Sequence, residues 1–154
     1  MRTLFLPSIA LAAAISGAAF ASDPFEGTWK LDVARSEFNT SQAPRSLTAT
    51  IEASKIDMKL VAYIVYFDGK ALHRGFDAKY NEMDYPYTLN PAEDTISLKR
   101  VHANTIVTVS KKKGKTVATI RWVVSKDGRT ITGVEKGKNV KGEPVTSTYI
   151  YGKQ

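Results

Sequence analysis

Two arginines stand out, because strict alternation places each on an apolar strand face. Arg74 shares its parity with Leu72, Phe76, Ala78 and Tyr80, and Arg100 shares its parity with Ile96 and Leu98. A guanidinium pointing into apolar surroundings is costly unless it is paired. Each arginine is therefore either satisfied by a buried carboxylate or tyrosine hydroxyl, or open to an anionic ligand through its planar fork. Arg100 also lies at a strand end, where it can reach water, and Arg121 points outward, opposite Ile120 and Trp122. The chain has seven tyrosines. A tyrosine couples apolar area to one hydrogen-bonding tip, which suits an amphipathic pocket as well as ordinary strand packing. Tyr66, Tyr80 and Tyr151 are the cavity candidates, with Met58 and Trp122 lining the same interior.

Patterns for catalysis are scarce. His73 and His102 are the only histidines and there is no cysteine, so thiol nucleophiles and cysteine metal sites are excluded. Neither histidine has a spacing that builds a metal centre. No Gly-rich phosphate loop or nucleophile elbow occurs. Carboxylates such as Asp84, Asp94 and Glu143 fall in loops, where solvation is the default. No catalytic residue, metal or cofactor is assigned.

The elements that must position these residues are strands. In "DPFEGTWKLD", Phe25, Gly27, Trp29 and Leu31 fall on one face, and charged or polar residues on the other. Trp29 is expected to plug one end of the core, with Gly27 leaving room for a neighbouring backbone. "VARSEF" allows one helical turn. Further strands are expected over 46–53, with Leu47, Ala49 and Ile51 inward, and over 56–67, with the even positions inward. Asp68-Gly69 marks a hairpin, and 70–80 follows. "NEMDYPYTLNPAED" is the longest irregular stretch, its prolines limiting ladder pairing. Strands over 95–101, 104–111, 116–124, 129–136 and 145–151 complete nine or ten. Such an antiparallel meander must pack two layers or close on itself, since an open sheet leaves reactive edges. Closure at this strand count encloses room for one small ligand; a solid sandwich is the alternative.

Residues 1–21 read as a secretory signal peptide: a basic Arg2, an apolar run over Leu4–Gly17 and a small-x-small site at Ala19-Phe20-Ala21. Cleavage would leave residues 22–154 as one domain, exported to the periplasm or beyond, without disulfide support. The formal charge is +7. Its one cluster, "KKKGK" over Lys111–Lys115, reads as a solvated hairpin tip or as a weak contact for anionic envelope surfaces. Nucleic acid is not indicated, because no aromatics interleave with the run.

"GTWKLD" resembles the Gly-x-Trp opening of lipocalins and fatty-acid-binding proteins, the calycin group. "KKKGKTVATIRW" and the final "VTSTYIYGKQ" are similar to the last strands of fatty-acid-binding proteins. The pattern "GTWKL", "DYP", "NP", "SLKR" and "VVSKDG" resembles exported bacterial lipocalin-like proteins across nearly the whole chain after residue 21. The resemblance implies an up-and-down barrel of eight to ten strands with a central cavity. The chain departs from the fatty-acid-binding pattern in having no helical lid. It also carries Tyr149 where the Arg of a carboxylate-gripping Arg-x-Tyr pair would stand, although Tyr151 matches.

Three readings of function follow. The first is an exported carrier for a small hydrophobic or amphipathic ligand, anionic and lipid-like in one version. The second is a small barrel enzyme of isomerase, cyclase or hydrolase type. The third is a filled-barrel interaction module.

Overall fold

A computed structural model describes residues 22–38, 43–138 and 143–154. The signal-peptide expectation, over 1–21, lies outside the described residues. Ten strands follow in order: β1 Gly27–Leu31, β2 Pro44–Ala53, β3 Asp57–Tyr66, β4 Ala71–Lys79, β5 Tyr85–Pro86, β6 Thr95–His102, β7 Thr105–Lys112, β8 Lys115–Val124, β9 Thr130–Lys138 and β10 Pro144–Lys153. Among the described residues there is no helix. "VARSEF" forms only a turn, in which the Asp32 carboxylate accepts from the Arg35 N–H at 3.1 Å.

Every pairing is antiparallel, in the order β4-β3-β2-β1-β10-β9-β8-β7-β6-β5. Chain neighbours pair except β4 with β5, and β1 meets β10, so the meander curls into a nearly closed up-and-down barrel. The outer strands of that order come together at a short seam. There Gly75 of β4 and Thr88 exchange backbone hydrogen bonds of 3.2 and 2.9 Å, and the Thr88 hydroxyl donates to the Gly75 carbonyl at 2.9 Å. Gly75 is required at the seam: a Cβ there would lie 2.6 Å from the Leu60 carbonyl oxygen.

Alternation sets which side chains face inward. Leu47, Ala49 and Ile51 of β2, Met58, Ala62 and Ile64 of β3, and Phe76 and Ala78 of β4 are buried, while their odd-parity neighbours Val61 and Tyr63 are exposed. Ile56, expected inward, is exposed, because β3 starts one residue later and Ile56 falls in the preceding turn. Tyr85-Pro86, read from sequence as irregular, forms a two-residue strand on β6. Proline is tolerated there because the strand lies at the end of the sheet order and is too short to need a full ladder.

The β7–β8 hairpin turns through Lys113 (φ 49°) and Gly114 (φ 76°). Two successive positive φ values match the twist of the flanking strands, and Gly adopts the second without strain. Of its lysines, Lys111 pairs with Asp84 at 2.9 Å and Lys112 with Asp94 at 2.7 Å. These contacts hold the 81–94 segment against the barrel wall.

One end of the barrel is plugged. Phe25 and Trp29 are almost wholly buried, and the Trp29 Nε1–H donates to the Phe25 carbonyl at 2.8 Å. Lys153 of β10 sits over the Trp29 ring, 5.1 Å from its centroid. A Cβ at Gly27 would meet the Lys153 side chain at 2.9 Å, so Gly27 makes room for a side chain and not for a backbone.

Candidate functional site

Behind the plug the interior is hollow. A cavity of about 380 Å³ runs from Phe25, Trp29 and Met58 to the opposite end of the barrel, where Pro44 opens β2 and Tyr66 closes β3. Most of its wall is aliphatic or aromatic, as the inward parity of the strands requires.

Among the described residues, Arg74 is the cation in this wall. It projects from the middle of β4, opposite Ala62 of β3. Its guanidinium carbon lies 5.6 Å from the centroid of the Tyr87 ring, and its Nε is buried without a hydrogen-bond partner. Among the described residues no carboxylate comes within ion-pair distance of it. Burial works against its charge, but the attraction of Tyr87, Tyr151, Glu93 and Tyr66 outweighs that and holds the group firmly protonated. Of these four groups Glu93 is the one carboxylate. Burial raises the Tyr151 phenol to about 12, against the pull of Arg74, and raises Tyr87 in the same way.

Two carboxylates share the wall. Glu93 accepts hydrogen bonds from the Ser110 hydroxyl and the Asn90 amide. Glu135 of β9 accepts from the Tyr149 hydroxyl, and burial followed by this bond raises the Tyr149 phenol. Trp122 lies across Gly133, its Nε1–H donating to Thr108 Oγ1 at 3.1 Å. The Tyr149 and Tyr151 rings each stand 6.0 Å from the Trp122 ring. The wall therefore combines an apolar floor with one cation, two oriented carboxylates and several phenols, a set that can both donate to and accept from a polar group.

Of the residues singled out from sequence, Arg74, Tyr66, Tyr151, Trp122 and Met58 line this cavity. Arg100 and Tyr80 do not, which corrects their reading as cavity residues: they pack inward, but at the plugged end. Arg100 turns instead to the plugged end. Its Nη2 donates to Asp23 Oδ2 at 2.7 Å, to the Tyr80 hydroxyl at 2.6 Å and to the Ser54 carbonyl at 3.2 Å, and its Nη1 donates to the Ala103 carbonyl at 2.7 Å. The guanidinium also stacks on Tyr80, 4.3 Å from the ring centroid. Both arginines leave Nε buried without a partner, but the Nη nitrogens of Arg100 have internal partners, a carboxylate among them, whereas Arg74 has no ion pair among the described residues.

Tyr87, Glu93 and Glu135 were not singled out from sequence. Glu135 shares the parity of the buried Ile131, a signal strong enough to have placed it inward. Glu93 follows Pro91 in an irregular stretch, where parity gives no direction. His73 is exposed and tilted against Tyr63, and His102 is exposed. Among the described residues no three metal-ligating side chains cluster.

No family model matches the chain, and no curated protein matches it. Among solved structures, the chain is similar to lobster apocrustacyanin A1, at 12% sequence identity and a TM-score of 0.49. The match covers 85% of this chain and 61% of that one, so the chain spans less than two thirds of that protein's length.

Proposed function

We propose that this chain is an exported carrier that holds one small, mainly apolar molecule inside its barrel, with the molecule's polar end at Arg74. The observation that carries the reading is a hollow, mostly apolar interior lined by the guanidinium of Arg74, which makes no ion pair among the described residues. A ligand acceptor would give that charge a partner. At roughly 30 Å³ per water-sized volume, the cavity takes on the order of a dozen heavy atoms.

A ten-carbon chain buried there would gain roughly 7 kcal/mol at about 0.8 kcal/mol per methylene. Lost translational and rotational freedom removes about 4 kcal/mol or more. A hydrogen bond to a charged donor returns about 1.5–3 kcal/mol. The balance corresponds to Kd values of roughly tens to hundreds of micromolar for so short a chain. The leader sequence supports export, and the hydrogen-bonded phenols and carboxylates are read as orienting groups for the ligand.

Native mass spectrometry of the protein, expressed from its full gene, purified without detergent and mixed with decanamide at about 0.5 mM, near the expected Kd, tests this reading. One bound small molecule is expected on wild-type protein and little on Arg74→Leu. Equal occupancy of both by the same molecule would remove Arg74 from the site. Intact mass on the same sample reports whether the chain starts at Ser22.

A further inference from the structure

We infer that the ligand's polar end carries a hydrogen-bond donor beside its acceptor, as a primary amide does, and is not a bare carboxylate. This rests on the carrier reading above. Arg74 and Glu93 line the same cavity, yet they form no ion pair. Glu93 is held off by its own partners, Ser110 on β7 and Asn90 in the preceding loop. The Arg74 guanidinium lies over the Tyr87 ring instead, 5.6 Å from its centroid. Two opposite charges thus line one cavity without pairing with each other.

A carboxylate placed in that space would satisfy Arg74 but would bring its second oxygen toward Glu93, with no proton to offer. Like charges brought together in a low-dielectric interior repel strongly. Including Glu135, the described residues of the wall supply one formal cation and two carboxylates, a balance that does not favour a further anion. A neutral head with a carbonyl oxygen and an adjacent N–H or O–H meets both walls. The carbonyl accepts from Arg74, and the N–H or O–H donates to Glu93.

The test compares decanamide with decanoate at pH 8, by displacement of an environment-sensitive dye and by calorimetry. The two have nearly the same shape and the same number of heavy atoms, and differ in one donor and one charge. Wild-type protein is expected to bind decanamide at least tenfold more tightly. Glu93→Gln, which removes the carboxylate at constant size, should reverse or abolish that preference. Decanoate binding as tightly as decanamide, or more tightly, in wild type would overturn the inference and leave the carrier reading intact. If neither molecule binds and no dye enters the barrel, the carrier reading falls, and the inference with it. The wild-type comparison decides the point even if the variant does not fold.

Discussion

Gly133→Ala tests the hollow interior through the residue that leans on it. A Cβ at position 133 would sit 2.3 Å from Cζ3 of Trp122 and 2.4 Å from its Cε3. Carbon atoms rest at about 3.5–4.0 Å, so the indole must move by more than about 1 Å. It is held by the 3.1 Å bond to Thr108, a tilted ring contact with Tyr149 and an edge contact with Tyr151. The direction open to it is the cavity.

Losing the hydrogen bond costs about 0.5–1.5 kcal/mol, and the aromatic contacts a similar amount. Because the ring moves into empty space, the further overpacking penalty of about 1–3 kcal/mol seen in filled cores should not apply. The expected loss is therefore about 1–3 kcal/mol, a fall in Tm of roughly 4–12 °C for a domain of this size. Ligand affinity should fall at least tenfold, since the indole now occupies ligand space. Thermal unfolding and dye titration on the same preparation give both numbers. Unchanged affinity together with a stability loss well above 4 kcal/mol would refute the reasoning, because it would mean the indole had nowhere to go.

Further outcomes follow from the plug and the phenols. Arg100→Met should destabilise the fold by about 3–5 kcal/mol in denaturant titration, because the Asp23 side chain, 8% exposed, loses its only ion-pair partner among the described residues. The decanamide-to-decanoate preference should survive that substitution, since Arg100 lies outside the cavity. Stability should also fall in alkali. Tyr151 has a folded pKa of about 12, above the ordinary value of 10.0, so the folded state favours the protonated phenol. That stability is fully present below pH 10 and is lost as pH rises from 10 toward 12, by roughly 2–3 kcal/mol in all. Denaturant midpoints measured from pH 8 to 12 check it, and Tyr151→Phe should flatten the decline.

The fold was largely legible because period-two alternation persists in nearly every strand, and the turn residues sit where the hairpins need them. Lys113-Gly114 and Asp68-Gly69 show this directly. Strand starts were less legible: Ile56 has the right parity, yet the chain is still turning there. The site was legible as a face but not as a height along the barrel. Parity placed Arg74 and Arg100 on inward faces alike, and their fates diverge only through partners distant in sequence. Asp23, 77 residues from Arg100, supplies the carboxylate that turns that arginine into part of the plug. Arg74 has no such partner among the described residues, and parity along one strand carries no sign of it. Tyr87 and Glu93 were hidden for a related reason. The 81–94 segment is held by lysines of β7 and by Gly75 across the seam, so its direction is set by tertiary contacts and not by a local period.

The central claim is that the barrel is hollow and that its hollow takes one ligand. Titration of wild type and Ala62→Trp with an environment-sensitive apolar dye tests it most directly, because Ala62 is buried on the cavity wall beside Arg74. The account predicts one dye per wild-type barrel, displaced by decanamide, and no binding to a folded Ala62→Trp variant. Equal dye binding by both proteins, or none by wild type, would contradict it.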